Sequence, residues 1–188
     1  MAGMPKSSDE TRKRLLAAAT KEFARYGIAG ARVDRIAKAA KANKQAIYAY
    51  FRSKERLFDA VYDAMVVQTI EEVPIDAYDL PGYVGRLYDR YRRHPEVLRI
   101  ATWYAMERGT DAPHPSALRS SKVKIAAIRE AQESGAITID FSPEDLLVLI
   151  LNLSTTGHLV SPESLSPNRS YDAVKKSIMN AVERLTHP

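Results

Sequence analysis

"KANKQAIYAYF", residues 41–51, decides how this chain is read. With Asn43 as an N-cap, Lys44 and Gln45 occupy the first turn of a helix. Tyr48 lies four residues beyond Lys44 and three beyond Gln45, so the three share a face. Ile47 and Phe51 share the opposite face and predict a short helix that buries one side and offers a cation, an amide and a phenol on the other. Upstream, Val33, Ile36, Ala37 and Ala40 form the apolar stripe of a second short helix. Leu15, Leu16, Ala19 and Phe23 mark a longer first helix, capped by Ser8 or Asp9 and ending at Gly27. The inward pair can pack on Ile36 and Phe23. Two short helices joined by a tight turn predict a helix-turn-helix, whose second helix enters the DNA major groove by its N-terminal residues. Glutamine pairs with adenine, lysine with guanine O6/N7, and a tyrosine hydroxyl with a phosphate oxygen. Spacing alone leaves a plain alternative, a solvated helix at the edge of a core.

Charge bears on that choice. The 188-residue chain carries a net +5, yet Met1 to Arg56 holds +9 and the remainder −4. A compact basic segment is an electrostatic footprint for phosphates, although a basic helix also suits a membrane surface or an acidic partner, or is merely solvated. There is no cysteine, which excludes disulfides and thiolate metal sites and fits a reducing compartment. The start, "MAGMPKSSDETRKR", has no apolar core of a leader. The apolar run "LLVLILNL", residues 146–153, is too short to span a bilayer. A soluble, cytoplasmic protein with no membrane partner is expected.

The rest of the chain reads as helix. Ser53 caps a connecting helix over about 54–72 that carries Leu57, Val61 and Met65. Beyond Glu72, prolines punctuate the sequence and predict helices at 81–93, 95–108, 116–134, 143–157 and 169–186. Only "AITIDF", residues 136–141, resembles a strand, and it leads directly into a helix start. The expected fold is all-α, with an N-terminal three-helix helix-turn-helix domain over residues 1–56. A larger helical bundle for ligand binding and dimerisation follows over 57–188. His94, His114, His158 and His187 lack metal-ligand spacing, and no phosphate loop, nucleophile elbow or carboxylate pair is recognisable. No metal, no cofactor and no enzymatic activity are expected.

From Thr11 to Val61, "TRKRLLAAATKEFARYGIAGARVDRIAKAAKANKQAIYAYFRSKERLFDAV" resembles the DNA-binding domain of the TetR family of transcriptional regulators. The likeness lies in a first helix ending F-A-x-x-G, an "IA" in the second, and I-Y-x-Y-F-x-S-K-E. "REAQESGAITIDFSPEDLL", residues 129–147, looks like the junction before the family's penultimate helix. The resemblance implies that Lys44 and Gln45 reach base edges and that Tyr48, Tyr50 and Lys54 grip the backbone. Arg32 stands where a small hydroxyl residue often meets a phosphate. Three positions depart from the family's pattern: Lys41 for the turn glycine, Ala31 for a capping threonine, and Gln45 for a frequent glycine.

In the larger domain, Ser142 caps a helix with Pro143 at its first position and Asp145 closing a capping box, and its apolar residues run around all sides. Such a helix must be buried all round, either centrally in a monomeric core or against a second chain. The family resemblance implies the latter, an intermolecular four-helix bundle through Leu147, Ile150, Leu151, Val174, Ile178 and Ala181. Met65, Gln68, Tyr88, Tyr91, Trp103, Tyr104 and Met106 fall on the helices between. They are either ordinary core or the lining of a pocket, and the family implies an inducer site here. The expected partners are a palindromic double-stranded DNA operator, a small-molecule effector and a second copy of the chain. Repression relieved by that effector is the expected function. A sequence-independent DNA-binding protein and a small helical enzyme are the rival classes.

Overall fold

Gly27 and Lys41 set the two bends on which the N-terminal helices depend. The computed structural model describes residues 6–109, 113–158 and 170–187. Helix α1 (Lys6–Gly30) breaks at Gly27, where φ is 65° and ψ −174°. A Cβ there would lie 2.9 Å from the Trp103 ring, so the position excludes a side chain on both conformational and steric grounds. The expected end of the first helix is therefore a real break, with helical backbone resuming to Gly30. Its start differs from expectation: the helix is under way at Lys6, so neither Ser8 nor Asp9 is the cap. The Ser8 hydroxyl lies 2.9 Å from that of Tyr50 instead.

Helix α2 (Val33–Ala39) ends in a Schellman turn, with the Ala42 N–H bonded to the Ala37 carbonyl and the Lys41 N–H to that of Lys38. That motif needs a left-handed residue, and Lys41 supplies it at φ 51°. A lysine in this conformation carries strain of about 1 kcal/mol that the family's turn glycine would not. Asn43 then caps α3 (Lys44–Phe51), its side chain accepting the Ala46 N–H at 2.8 Å. Arg52, at φ 68°, closes α3, and the Ser53 hydroxyl accepts the Arg56 N–H at the start of α4 (Lys54–Glu72).

The remaining helices are α5 (Leu80–Arg93), α6 (Pro95–Arg108), α7 (Pro115–Glu133), α8 (Pro143–Ser154) and α9 (Tyr171–Thr186). Helix α8 stops three residues before the expected 157, and Thr155–His158 continue as turns. Its capping box forms as expected, with the Ser142 hydroxyl accepting the Asp145 N–H at 3.0 Å and donating to the Asp145 carboxylate. No strand occurs among the described residues. The strand-like 136–141 finds other partners for its backbone: the Gln132 amide donates to the carbonyls of Thr138 and Phe141, and the Thr138 N–H donates to the carbonyl of Thr186.

The chain forms two units. One runs to Val66 and includes Arg99–His114; the other holds Val67–Leu98 and the chain from Pro115 onward. The first unit packs around Phe23 and Phe58, whose rings meet edge-to-face at 5.1 Å. Leu15, Ala19, Ile36, Ile47, Leu57 and Ile100 are fully buried in the same core. In the second unit, α5 packs against α8 and α9, and α7 packs against α8. Gly85 lets α9 approach, since a Cβ there would lie 2.9 Å from the Met179 sulfur. Arg90 is buried in this unit, its Nε donating to the Thr69 hydroxyl at 3.1 Å and its Nη1 paired with the Glu72 carboxylate.

Candidate nucleic-acid interface

The face of α3 away from the core is set by its helical period. Ile47 and Phe51 are buried in the same cluster as Ile36 and Phe23. Lys44, Gln45 and Tyr48 are exposed, Tyr48 at 44%. A cation, an amide and a phenol thus stand together on a helix whose start is held by the Asn43 cap. The Lys44 ammonium lies 3.1 Å from the Asp34 carboxylate of α2. Both side chains are half exposed or more, so the pair adds little stability. It does hold the ammonium at the exposed edge between α2 and α3.

The other three sequence-predicted contacts stand differently. Arg32 is the N-cap residue of α2 and is exposed, with no side-chain cap of its own. Its backbone N–H donates to Glu22 Oε1 at 2.9 Å, and the Arg35 Nε donates to the same oxygen at 2.7 Å. The N-cap position is thus Arg32 and not Ala31, and Glu22 of α1 accepts the N–H of the N-cap residue, as the glutamate of a capping box does, and brings negative charge to the helix N-terminus. Tyr50 is half-buried, and its hydroxyl donates to the Ser8 carbonyl at 3.2 Å, so it ties α3 to the start of α1. Lys54 has its ammonium 3.4 Å from the Ala31 carbonyl. Sequence reading did not find Asp34, Glu22 or Arg52. Their roles arise from neighbours ten or more residues away or from a backbone angle.

The residues expected to line an effector site fall to both units. In the first, Tyr104 is in the core, its ring stacked near Phe58 and 4.3 Å from Tyr62. Met65 and Trp103 pack against that core, and Met106 is 71% exposed. In the second, Tyr88 and Tyr91 are buried beside His158, and Tyr171 stacks 4.6 Å from Tyr88. Burial pushes the His158 imidazole below its ordinary range. Gln68 is exposed and donates to Glu72 at 2.7 Å. Tyr83 is fully buried, and its hydroxyl has no hydrogen-bond partner among the described residues.

Of the residues expected at a dimer interface, Leu147, Ile150, Val174 and Ile178 are buried within the single chain. Leu151 and Ala181 are half-buried. Helix α8 is therefore covered on one side only. Val148 and Leu149 remain exposed, and an open groove between α8 and α9 is lined by Leu153, Ala181, Arg184 and Leu185. Among the described residues, no group of histidines and carboxylates could hold a metal ion, and no helix is long and apolar enough to cross a membrane.

Residues 15–61 match the family described as bacterial regulatory proteins of the tetR family, and residues 79–184 match the tetracyclin repressor-like C-terminal domain. The HTH-type transcriptional repressor SCO4008 of Streptomyces coelicolor is 38% identical over 186 residues, covering 94% of this chain and 97% of that protein. The repressor NicS of Pseudomonas putida is 34% identical over 136 residues, covering 68% of this chain and 64% of its own length. Among solved structures, the transcriptional regulator SCO4942 of Streptomyces coelicolor superposes with a TM-score of 0.81 at 37% identity, covering 94% of this chain and 98% of that one. Such relatives are regulators and not enzymes. With both parts of the chain matched and the exposed face of α3 in place, the protein belongs to the TetR family of DNA-binding helix-turn-helix transcriptional repressors.

Proposed function

We propose that the protein acts as a homodimer that binds a palindromic operator through α3 and leaves it when a small molecule binds. The observation that carries the DNA-reading part is the single exposed face of Lys44, Gln45 and Tyr48 on a helix whose other face is core. In that reading Lys44 and Gln45 meet base edges, Arg32, Tyr48 and Lys54 meet phosphates, and Tyr50 serves from beneath, holding α1 to α3.

Dimerisation supplies two copies of α3 about 34–36 Å apart, one helical turn of DNA. The exposed Leu149 and the half-buried Leu151, Leu153, Ala181 and Leu185 of α8 and α9 support it. An effector that binds better to a conformer with a different α3 spacing lowers operator affinity by that difference. Helix α4, whose residues fall to both units, is the element to carry the shift. Met65, Gln68, Tyr88, Tyr91, Trp103, Tyr104 and Met106 are the side chains proposed to sense the effector.

Fluorescence anisotropy of the full chain against DNA flanking its own gene and against a scrambled duplex tests the reading. A preference for the flanking DNA, with one dimer or a pair of dimers per site, supports operator recognition. Equal, steeply salt-dependent binding to every duplex, including those selected from a randomised pool, favours a sequence-independent binder instead.

A further inference from the structure

Among the described residues, only two non-glycine residues have positive φ, and both are cations flanking α3. Lys41, at φ 51°, precedes the Asn43 cap, and Arg52, at φ 68°, follows the last residue of the helix. Both side chains are exposed and make no hydrogen bond or ion pair within the described chain. Glycine adopts this backbone region freely, whereas a residue with a Cβ is strained there. The positive φ serves the turns at the two ends of α3, but glycine would serve them without strain, and the lysine and arginine side chains bring no contact within the described chain in return; strain of that kind points to a function outside the fold.

We infer that Lys41 and Arg52 are phosphate-clamp residues, one at each end of α3, holding the two backbone walls of the major groove. Helix α3 between them is eight residues, about 12 Å, long, so the two cations stand apart at its opposite ends. Their sites differ from those of Lys44 and Lys54. The Lys44 ammonium is paired with Asp34, and that of Lys54 is directed to the Ala31 carbonyl, while Lys41 and Arg52 carry undivided charge. Contact with phosphate carries no sequence information, so the pair fixes how far α3 enters and in what register, and leaves base choice to other residues.

The inference rests on α3 being the groove-entering helix, and the test separates the two claims. Duplexes selected from a randomised pool and a scrambled duplex are titrated with full-length wild type, Lys41→Gly, Arg52→Gly, Lys41→Gln and Gln45→Ala at several salt concentrations. The glycine variants are expected to melt at equal or higher temperature, by up to about 4 °C. They are also expected to bind both duplexes on the order of tenfold more weakly. The slope of log K against log salt should fall by about 0.9 for each phosphate no longer neutralised, about 1.8 for a dimer. Lys41→Gln, which keeps the strained backbone and removes the charge, should weaken binding alike with no gain in melting temperature. Unchanged affinity and slope in Lys41→Gly and Arg52→Gly overturn the clamp, as does a weakening confined to the selected duplex. If Gln45→Ala leaves the base preference intact, the reading of α3 fails instead, whatever the clamp variants do.

Discussion

Gln45 stands in the first turn of α3 and Lys54 opens α4, both polar, yet they should fail in different ways when truncated. If the proposed reading holds, Gln45→Ala and Lys44→Ala remove donors from base edges and relax preference at single base pairs by about 1–3 kcal/mol. On the same proposal Lys54→Ala removes a phosphate contact and should weaken all duplexes alike, lowering the salt slope by about 0.9 per half-site, about 1.8 for a dimer. Anisotropy on matched and mismatched duplexes distinguishes these outcomes, and equal weakening on both for Gln45→Ala would sink its base-reading role. Gly27 offers a test of the fold at the same scale. Gly27→Ala places a Cβ against the Trp103 ring at a left-handed backbone angle. A destabilisation of about 1–3 kcal/mol is expected. Trp103 is the chain's one tryptophan, so its emission reports the displacement directly.

At the scale of elements, the junction of α4 and α5 ties its stability to pH. Burial alone would raise the Glu72 carboxyl, but the hydrogen bonds from Gln68 and Arg90 and the Arg90 charge outweigh it and hold the group below the ordinary glutamate range. A carboxyl depressed in the folded state contributes stability above its unfolded pKa and loses it as pH falls through the folded value. Glu72→Gln should therefore melt below wild type at pH 7, and the difference should close in acid, below about pH 4. A gap that persists unchanged into acid would show that the charge of Glu72 is not what Arg90 uses. Helix α2 carries the same lesson about partners. Its own sequence supplies no cap, and the group that serves it, Glu22, stands ten residues before the bonded N–H of Arg32.

For the whole molecule, the decisive prediction concerns association. Leu149→Glu puts a charge on the part of α8 that one chain leaves exposed. Sedimentation velocity is expected to show a monomer, with operator affinity reduced on the order of a hundredfold because two linked half-sites become one. A variant that stays dimeric would move the interface off this face of α8.

Much of this architecture was legible in the chain itself. The order of the helices, the Asn43, Ser53 and Ser142 caps and the two faces of α3 follow from residues one to four positions apart, where local hydrogen bonds and helical period decide, whereas the turn position at Lys41 came from the family resemblance. The resemblance of residues 11–61 supplied the family, and the matches over 15–61 and 79–184 agree with it. The covered side of α8 could not be read, because a helix apolar all round has no periodic signal to say which residues meet its own chain. Nor could the pairing of Lys44 with Asp34, the Glu22 cap, or the engagement of Tyr50 by Ser8, separated by 42 residues. Composition and spacing determined which elements form and which face of α3 is polar. Only the tertiary packing decided which of those polar groups stay free for DNA, since a side chain's availability depends on neighbours brought to it by the fold.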